Sequence, residues 1–210
     1  MNTRSTVFII DDDPDVRMGL CRLARSAGYR AEPFASADDF LAAAPSHPGP
    51  ACLILEVRMP GLDGLGLQQV LAAQSCHWPI IFLTGYGDIP LSVRAMKAGA
   101  LDFLTKPCRD TDLLAAIEQA LAKDREHCRR QAAAVDCQAR LASLTRRERQ
   151  VLALVAAGRT NRQIAHELGT CEQTVKIHRM HITEKLRVHS TAELARLAEK
   201  AGLLADSAMA

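Results

Sequence analysis

Along the first 120 positions, short unbroken apolar runs alternate with longer stretches in which apolar residues recur every three or four positions. Val7-Phe8-Ile9-Ile10, Cys52-Leu53-Ile54-Leu55 and Pro79-Ile80-Ile81-Phe82-Leu83 have the length and continuous apolarity of strands covered on both faces. Arg30 to Phe34 and Asp102-Phe103-Leu104 read as shorter strands. Between them the helical period predicts Val16 to Ala27 (stopped by Gly28), Ala37 to Ala44, Gly64 to Gln74, Ile89 to Ala98 (ended by Gly99) and a helix from Thr111 onward. Pro45 to Pro50, Met59-Pro60-Gly61 and Gly85-Tyr86-Gly87 punctuate the pattern as loops. Five β-α units predict an α/β domain, a doubly wound five-stranded parallel sheet with helices on both faces. In such sheets functional groups collect at the carboxyl ends of the strands.

The pattern then changes. Leu113, Leu114, Ile117 and Leu121 form an apolar stripe that fades into the charged run Lys123 to Arg130, with no Gly or Pro up to position 140. This predicts one long helix, exposed over its second half, whose seam of Cys128, Ala132 and Val135 is thin for a coiled coil. Beyond Leu144 the pattern is purely helical, and Thr145-Arg146-Arg147-Glu148 is a capping box. Val151, Leu152, Leu154 and Val155 face inward, and Gly158 ends that helix. Asn161 is the expected cap of a second helix carrying Ile164, Ala165 and Leu168, and Gly169 supplies a turn. A third helix places Val175, Ile182 and Leu186 inward, and a fourth covers about Thr191 to Ala201. Helix, glycine turn, helix is the layout of a helix-turn-helix. The organisation expected is therefore an α/β domain over 1–122, a helical linker over 123–140, a small all-α domain over 141–204 and a flexible tail over 205–210.

Charge supports two parts with different partners. The net charge of the 210 residues is only +2, yet residues 1–120 carry 10 Lys/Arg against 14 Asp/Glu, while residues 141–201 carry 11 against 6. An acidic front suits cation or phosphate chemistry and a basic rear suits a polyanion. Seven cysteines, odd in number and with no CxxC pair, read as reduced thiols. No apolar run is long enough to span a bilayer, and Val7 to Ile10 runs straight into acids rather than into a signal peptide. A cytoplasmic protein without a membrane partner is expected.

Asp11, Asp12 and Asp13 follow the first strand; the third strand ends at Glu56, the fourth at Thr84, and Lys106-Pro107 follows the fifth. The acids alone are as consistent with solvated loop charges as with a site. Four strand ends on one rim, each with a polar group, point to a site. Clustered carboxylates call for a cation, and Mg²⁺ suits oxygen ligands that keep some waters. A hydroxyl and an ammonium nearby suit the oxygens of a phosphoryl group.

The segments IIDDDPDVR, LILEVRMPGLDG, IIFLTGYGD and AGALDFLTKP resemble the receiver domain of two-component response regulators, in the NarL/FixJ branch. The resemblance covers nearly all of residues 5–122 and implies a flavodoxin-like receiver fold. It implies Asp11 and Asp12 as metal acids, with Glu56 beside them, and Arg58 offering its backbone carbonyl to Mg²⁺. It also implies Thr84 and Lys106 as the phosphoryl-sensing pair and Phe103 as the aromatic switch residue. The Ile89 to Ala98 helix and the following strand fall where such domains often dimerise. The family's phospho-accepting aspartate falls on position 56, where this chain has glutamate. Glutamate is longer by one methylene, and a displacement of about 1 Å costs roughly a hundredfold in a positioned reaction. Three readings of Glu56 stand at this point: an engineered mimic of the phosphorylated state, a natural divergence regulated in another way, or a lock on the inactive form. A carboxylate carries one charge against roughly 1.5 to 2 on a phosphate, so any mimicry is partial.

The segment LTRRERQVLALVAAGRTNRQIAHELGTCEQTVKIHRMHITEKL resembles a LuxR-type helix-turn-helix. The resemblance implies that the helix from about Glu172 to Leu186 enters the major groove of double-stranded DNA. By position, Lys176, Ile177 and Met180 would face base edges, with Lys176 donating to guanine and the two apolar side chains packing on thymine methyls. Asn161, Arg162, Thr174, Arg179 and Lys185 are the candidates for phosphate contacts. Cys171 stands where the family usually has a capping Ser, and a thiol caps poorly. The function implied is a DNA-binding transcriptional regulator, not an enzyme, in a two-component phosphorelay. Its partners would be promoter DNA, a cognate sensor histidine kinase, RNA polymerase and, in the active state, a second copy of itself. The alternative is a phosphorylation-independent regulator that uses a degenerate receiver for dimerisation or docking.

Overall fold

Continuous apolarity in the strands has a direct structural consequence: every residue of the first, third and fourth strands is buried. The computed structural model describes residues 5–43, 49–85, 87–188, 190, 193–194 and 196–197. It divides into two compact units, Met1–Gln131 and Ala132–Ala210.

The first unit alternates β1 (Thr6–Ile10), α1 (Pro14–Ser26), β2 (Arg30–Phe34), α2 (Ala37–Ala43), β3 (Ala51–Leu55), α3 (Gly64–Ala73), β4 (Ile80–Thr84), α4 (Ile89–Lys97), β5 (Asp102–Thr105) and α5 (Asp110–Ala142). The strands form one parallel sheet in the order β2-β1-β3-β4-β5. The period of two within each strand sorts side chains into two cores. Phe8, Ile10, Leu53, Leu55 and Phe82 pack on one face with Phe40, Leu67, Leu71 and Ala95. Val7, Ile9, Cys52, Ile54, Ile81 and Leu83 pack on the other with Cys21, Ala24, Leu113, Ile117 and Leu121. Switching between the faces in this order leaves the carboxyl ends of β1 and β3, which pair side by side, and of β4 and β5 along one rim.

The predicted elements appear within one or two residues of their expected ends, and the linker expected over 123–140 is helical as part of α5. One of its charges is not on the solvated face. Asp124 is buried and accepts the Ala51 amide at 2.8 Å, tying α5 to the start of β3.

The second unit contains the end of α5, then α6 (Arg146–Ala156), α7 (Asn161–Glu167) and α8 (Glu172–Leu186) around a core of Val151, Leu152, Val155, Ile164, Val175, Ile182 and Leu186. The Thr145/Glu148 capping box at α6 is present. The cap of α7 is not Asn161: Thr160 and Gln163 form a second capping box, and Asn161 is the first helical residue. A threonine hydroxyl in the extended residue before the helix reaches the third amide, a geometry closed to a residue already inside the first turn. Gly169 (φ +63°) makes the turn between α7 and α8. Cys171 precedes α8 without any side-chain cap bond, as a weak acceptor should. The fourth helix expected over 191–201 and the tail over 205–210 lie outside the described residues, except for helical turns at 193–194 and 196–197.

Candidate functional site

Glu56 leaves the end of β3 with its amide bonded to the Ile10 carbonyl at 2.9 Å. The chain then turns so tightly against α3 that a Cβ on Gly64 would stand 2.3 Å from the Glu56 carbonyl oxygen. Glycine at this position is what allows the approach. The Glu56 side chain is buried, and both of its oxygens are taken. Oε1 accepts the amides of Val57 (2.7 Å) and Arg58 (3.2 Å) and the hydroxyl of Thr84. Oε2 accepts Lys106 Nζ at 2.8 Å, and the same ammonium donates to Asp11 Oδ2 at 2.5 Å. Asp11 Oδ1 accepts the Asp13 amide at 3.0 Å. The Lys106–Pro107 peptide is cis.

The electrostatics follow from burial and pairing. Burial pushes the Asp11 carboxyl above its usual range despite the Lys106 bond. Burial acts on Glu56 in the same sense, but its hydrogen bonds from Lys106 and Thr84 outweigh it and the carboxyl sits below its usual range. Lys106 loses solvation yet is held above its usual value by its bonds to Asp11 and Glu56. A single ammonium between two buried carboxylates is thus the internal counter-charge of the rim.

Of the sequence-predicted rim residues, Asp11, Glu56, Thr84 and Lys106 converge through direct bonds. Asp12 is exposed, as is Arg58, which meets Glu56 through its backbone amide. Among the described residues no three His, Cys, Asp or Glu side chains are gathered as a metal-ligand set. The acids suit Mg²⁺ in their chemistry. As placed, Asp11 and Glu56 are engaged by Lys106, Thr84 and backbone amides, and the exposed Asp12 beside them would join Asp11 in holding the Mg²⁺ that receiver domains in general bind at this rim. Phe103 is half-buried, its ring centroid 6.0 Å from that of Phe82.

In the second unit α8 shows two distinct faces. Val175, Ile182 and Leu186 are buried, as their spacing predicts. Lys176, Ile177 and Met180 are exposed, and so is Arg162 on α7. Thr174 is half-buried, its hydroxyl 3.1 Å from Cys171 Sγ. Arg179 and Asn161 are brought together, Nη1 donating to Oδ1 at 3.0 Å. The Lys185 ammonium donates to both oxygens of buried Glu148, at 2.9 and 2.8 Å. Glu148 also accepts the Thr145 amide at 2.7 Å, so one carboxylate caps α6 and fastens α8 to it. Two further fasteners carry no sequence signal. Arg147 Nη2 donates to the Leu168 carbonyl at 2.5 Å and Arg140 Nη1 to the Leu186 carbonyl at 3.3 Å.

A pH dependence follows. Burial raises the Glu148 carboxyl, but the bonds from Lys185 and Thr145 prevail and hold it below its usual range. A carboxyl depressed in the fold stabilises fully above its unfolded pKa of about 4.3 and loses that contribution as pH falls through the folded value. Hydrogen–deuterium exchange of α6 to α8 in the full chain is therefore expected to be steady from about pH 5 to 7, after correction for intrinsic rates, and to lose protection below about pH 4.

Comparison with known proteins agrees with this geometry. Residues 7–118 match the response regulator receiver domain, and residues 142–198 match the bacterial regulatory proteins of the luxR family. The chain is 44% identical to nodulation protein W of Bradyrhizobium diazoefficiens over 98% of its own length and 90% of that protein. It is 42% identical to the transcriptional regulatory protein FixJ of the same organism, over 98% of this chain and 100% of that one. Among solved structures it is similar to the response regulator StyR, with a TM-score of 0.85 at 48% identity, covering 94% of this chain and 99% of that one. No described helix is long and apolar enough to cross a membrane. With a receiver rim at the strand ends of its first unit and a LuxR-type helix-turn-helix in its second, the chain belongs to the two-component response regulators of the NarL/FixJ type and is a DNA-binding transcription regulator, not an enzyme.

Proposed function

We propose that this regulator binds promoter DNA without being phosphorylated, because Glu56 engages the receiver's phosphoryl-sensing groups itself. The observation that carries this reading is the pair of bonds from Thr84 and Lys106 to the two oxygens of one Glu56 carboxylate. These are the groups that the family resemblance assigns to sensing the phosphoryl oxygens. With both engaged from within, the receiver is held in one state, and a population shift that phosphorylation would otherwise drive is built into the sequence. Lys106 supplies the neutralisation at Asp11 and Glu56 that Mg²⁺ gives to receivers in general, and no step here depends on the metal.

In this reading the receiver serves as a dimerisation module, with Phe103 as part of the held switch. A dimer sets two copies of α8 on half-sites about one helical turn apart. Lys176, Ile177 and Met180 face the bases, and Arg162, Asn161, Thr174 and Arg179 meet the backbone. A cytoplasmic setting suits promoter DNA, RNA polymerase and seven free thiols alike. A sensor histidine kinase would dock without transferring phosphate to position 56. The test is the affinity of the full chain for duplex DNA that it selects from a random pool. Binding unchanged by acetyl phosphate supports the reading, and binding that appears only with the phosphodonor overturns it.

A further inference from the structure

The amino end of β4 lies at the opposite end of the sheet from the rim. There a cavity of about 300 Å³ is bounded by the end of α3, the loop into β4, the turn after α4 and the middle of α5. Leu71, Trp78 and Ile80 supply apolar wall. Its polar lining leaves several groups unpaired among the described residues. Gln68 is only 3% exposed, and its Nε2 donates to the Ala95 carbonyl at 3.1 Å. That bond fixes the amide, so Oε1 is a buried acceptor without a donor. His127 Nε2 is likewise buried without a partner, the exposed His77 ring standing 4.5 Å from its own. Asp124 is 2% exposed and accepts the Ala51 amide and, at 3.8 Å, the Cys128 thiol, but no cation among the described residues pairs with it.

We propose that this cavity binds a small molecule carrying a protonated amine. Native interiors leave few buried polar atoms unpaired, and two of the three such side-chain atoms among the described residues line this one cavity. Gln68 Oε1 and the Asp124 carboxylate only accept hydrogen bonds, and a neutral imidazole accepts at its bare nitrogen. Their complement is a group with several N–H donors and a positive charge. A buried carboxylate without a cation favours such a ligand over a neutral one, because an unpaired buried charge is costly. Trp78 offers the ring that attracts cations best, while Leu71 and Ile80 suit a short alkyl chain. Lys123, exposed at the same cavity, suits a carboxylate on the same molecule. The shared chemistry is the protonated amine, carried by a simple amine or by an amino acid. The cavity shares no residue with the Glu56 cluster, so the inference stands apart from the reading of the receiver rim.

Trp78 is the chain's single tryptophan, so its fluorescence reports on the cavity in the full protein. Titration with butylamine and with leucine, at constant pH and ionic strength, is expected to give a saturable change, and titration with 1-butanol or butyrate none. The tighter of the two amines names the source: leucine an amino-acid site, with its advantage lost in Lys123→Met, and butylamine a site for simple amines. Asp124→Asn keeps an oxygen for the Ala51 amide but removes the charge, and is expected to weaken binding at least about tenfold. His127→Phe, at a half-buried residue, leaves that bond untouched and is expected to weaken binding about fivefold. Equal responses to butylamine and 1-butanol, no saturable response to either amine, or binding unchanged in both variants overturns the proposal.

Discussion

Full-length protein carrying Glu56→Asp is expected to take up a phosphoryl group from acetyl phosphate at least about a hundredfold faster than the chain as it stands. In that transfer a carboxylate oxygen forms a bond to phosphorus as the bond to acetate breaks and acetate leaves. In the present chain Oε1 of Glu56 is held by two amides and a hydroxyl, and Oε2 by Lys106. Its carboxylate also spans from Thr84 to Lys106, the pair that the family resemblance assigns to the phosphoryl oxygens. Aspartate is shorter by one methylene, which withdraws the carboxylate and frees both groups for the donor. Intact-protein mass spectrometry after incubation with acetyl phosphate and Mg²⁺ reads the outcome. Equal labelling of the two proteins would mean that another residue accepts the phosphoryl group.

Replacing Lys185 by alanine is the second large effect. A surface phosphate contact could be removed at no cost to the fold and would lower the salt dependence of DNA binding by about one ion. Lys185 is instead the partner of a carboxylate only 4% exposed. Breaking a buried pair by removing one partner costs about 3–5 kcal/mol; the Lys185 side chain is itself 36% exposed, so water can reach the site and the expected loss is about 2 kcal/mol. Protection of α6 to α8 against hydrogen–deuterium exchange should fall accordingly in the full chain. Lys185→Ala combined with Glu148→Gln should recover part of the loss, since no buried charge is then left unpaired. Unchanged protection in Lys185→Ala would return this residue to the DNA-contacting set.

The sheet and its helices were legible because periods of two and 3.6 are local properties of the chain, and Val7 to Ile10 or Leu113 to Leu121 show them without any partner. The rim was legible for a related reason: a parallel sheet brings strand ends together, so Asp11, Glu56, Thr84 and Lys106 could be grouped from order alone. How they bond could not be read, because strand order places the groups on one rim without fixing which carboxylate oxygen each donor reaches. The partner of Lys185 is hidden in the sequence for a different reason. A lysine on a recognition helix has the same local pattern whether it meets phosphate or a carboxylate 37 positions earlier, and only the packing of α8 on α6 separates the two. Asn161 and Thr160 are adjacent and both good caps by residue type, and only the extended backbone of Thr160 decides that it, not Asn161, caps α7.

The most direct measurement of the central claim compares duplex-DNA affinity of the chain as it stands with that of Glu56→Asp, each with and without Mg²⁺ and beryllofluoride. The account predicts that the present chain binds tightly in every condition, whereas Glu56→Asp binds tightly only with the phosphoryl mimic. A present chain that binds weakly throughout, beside an aspartate variant that binds once the mimic is added, would contradict it and show that Glu56 holds the receiver off.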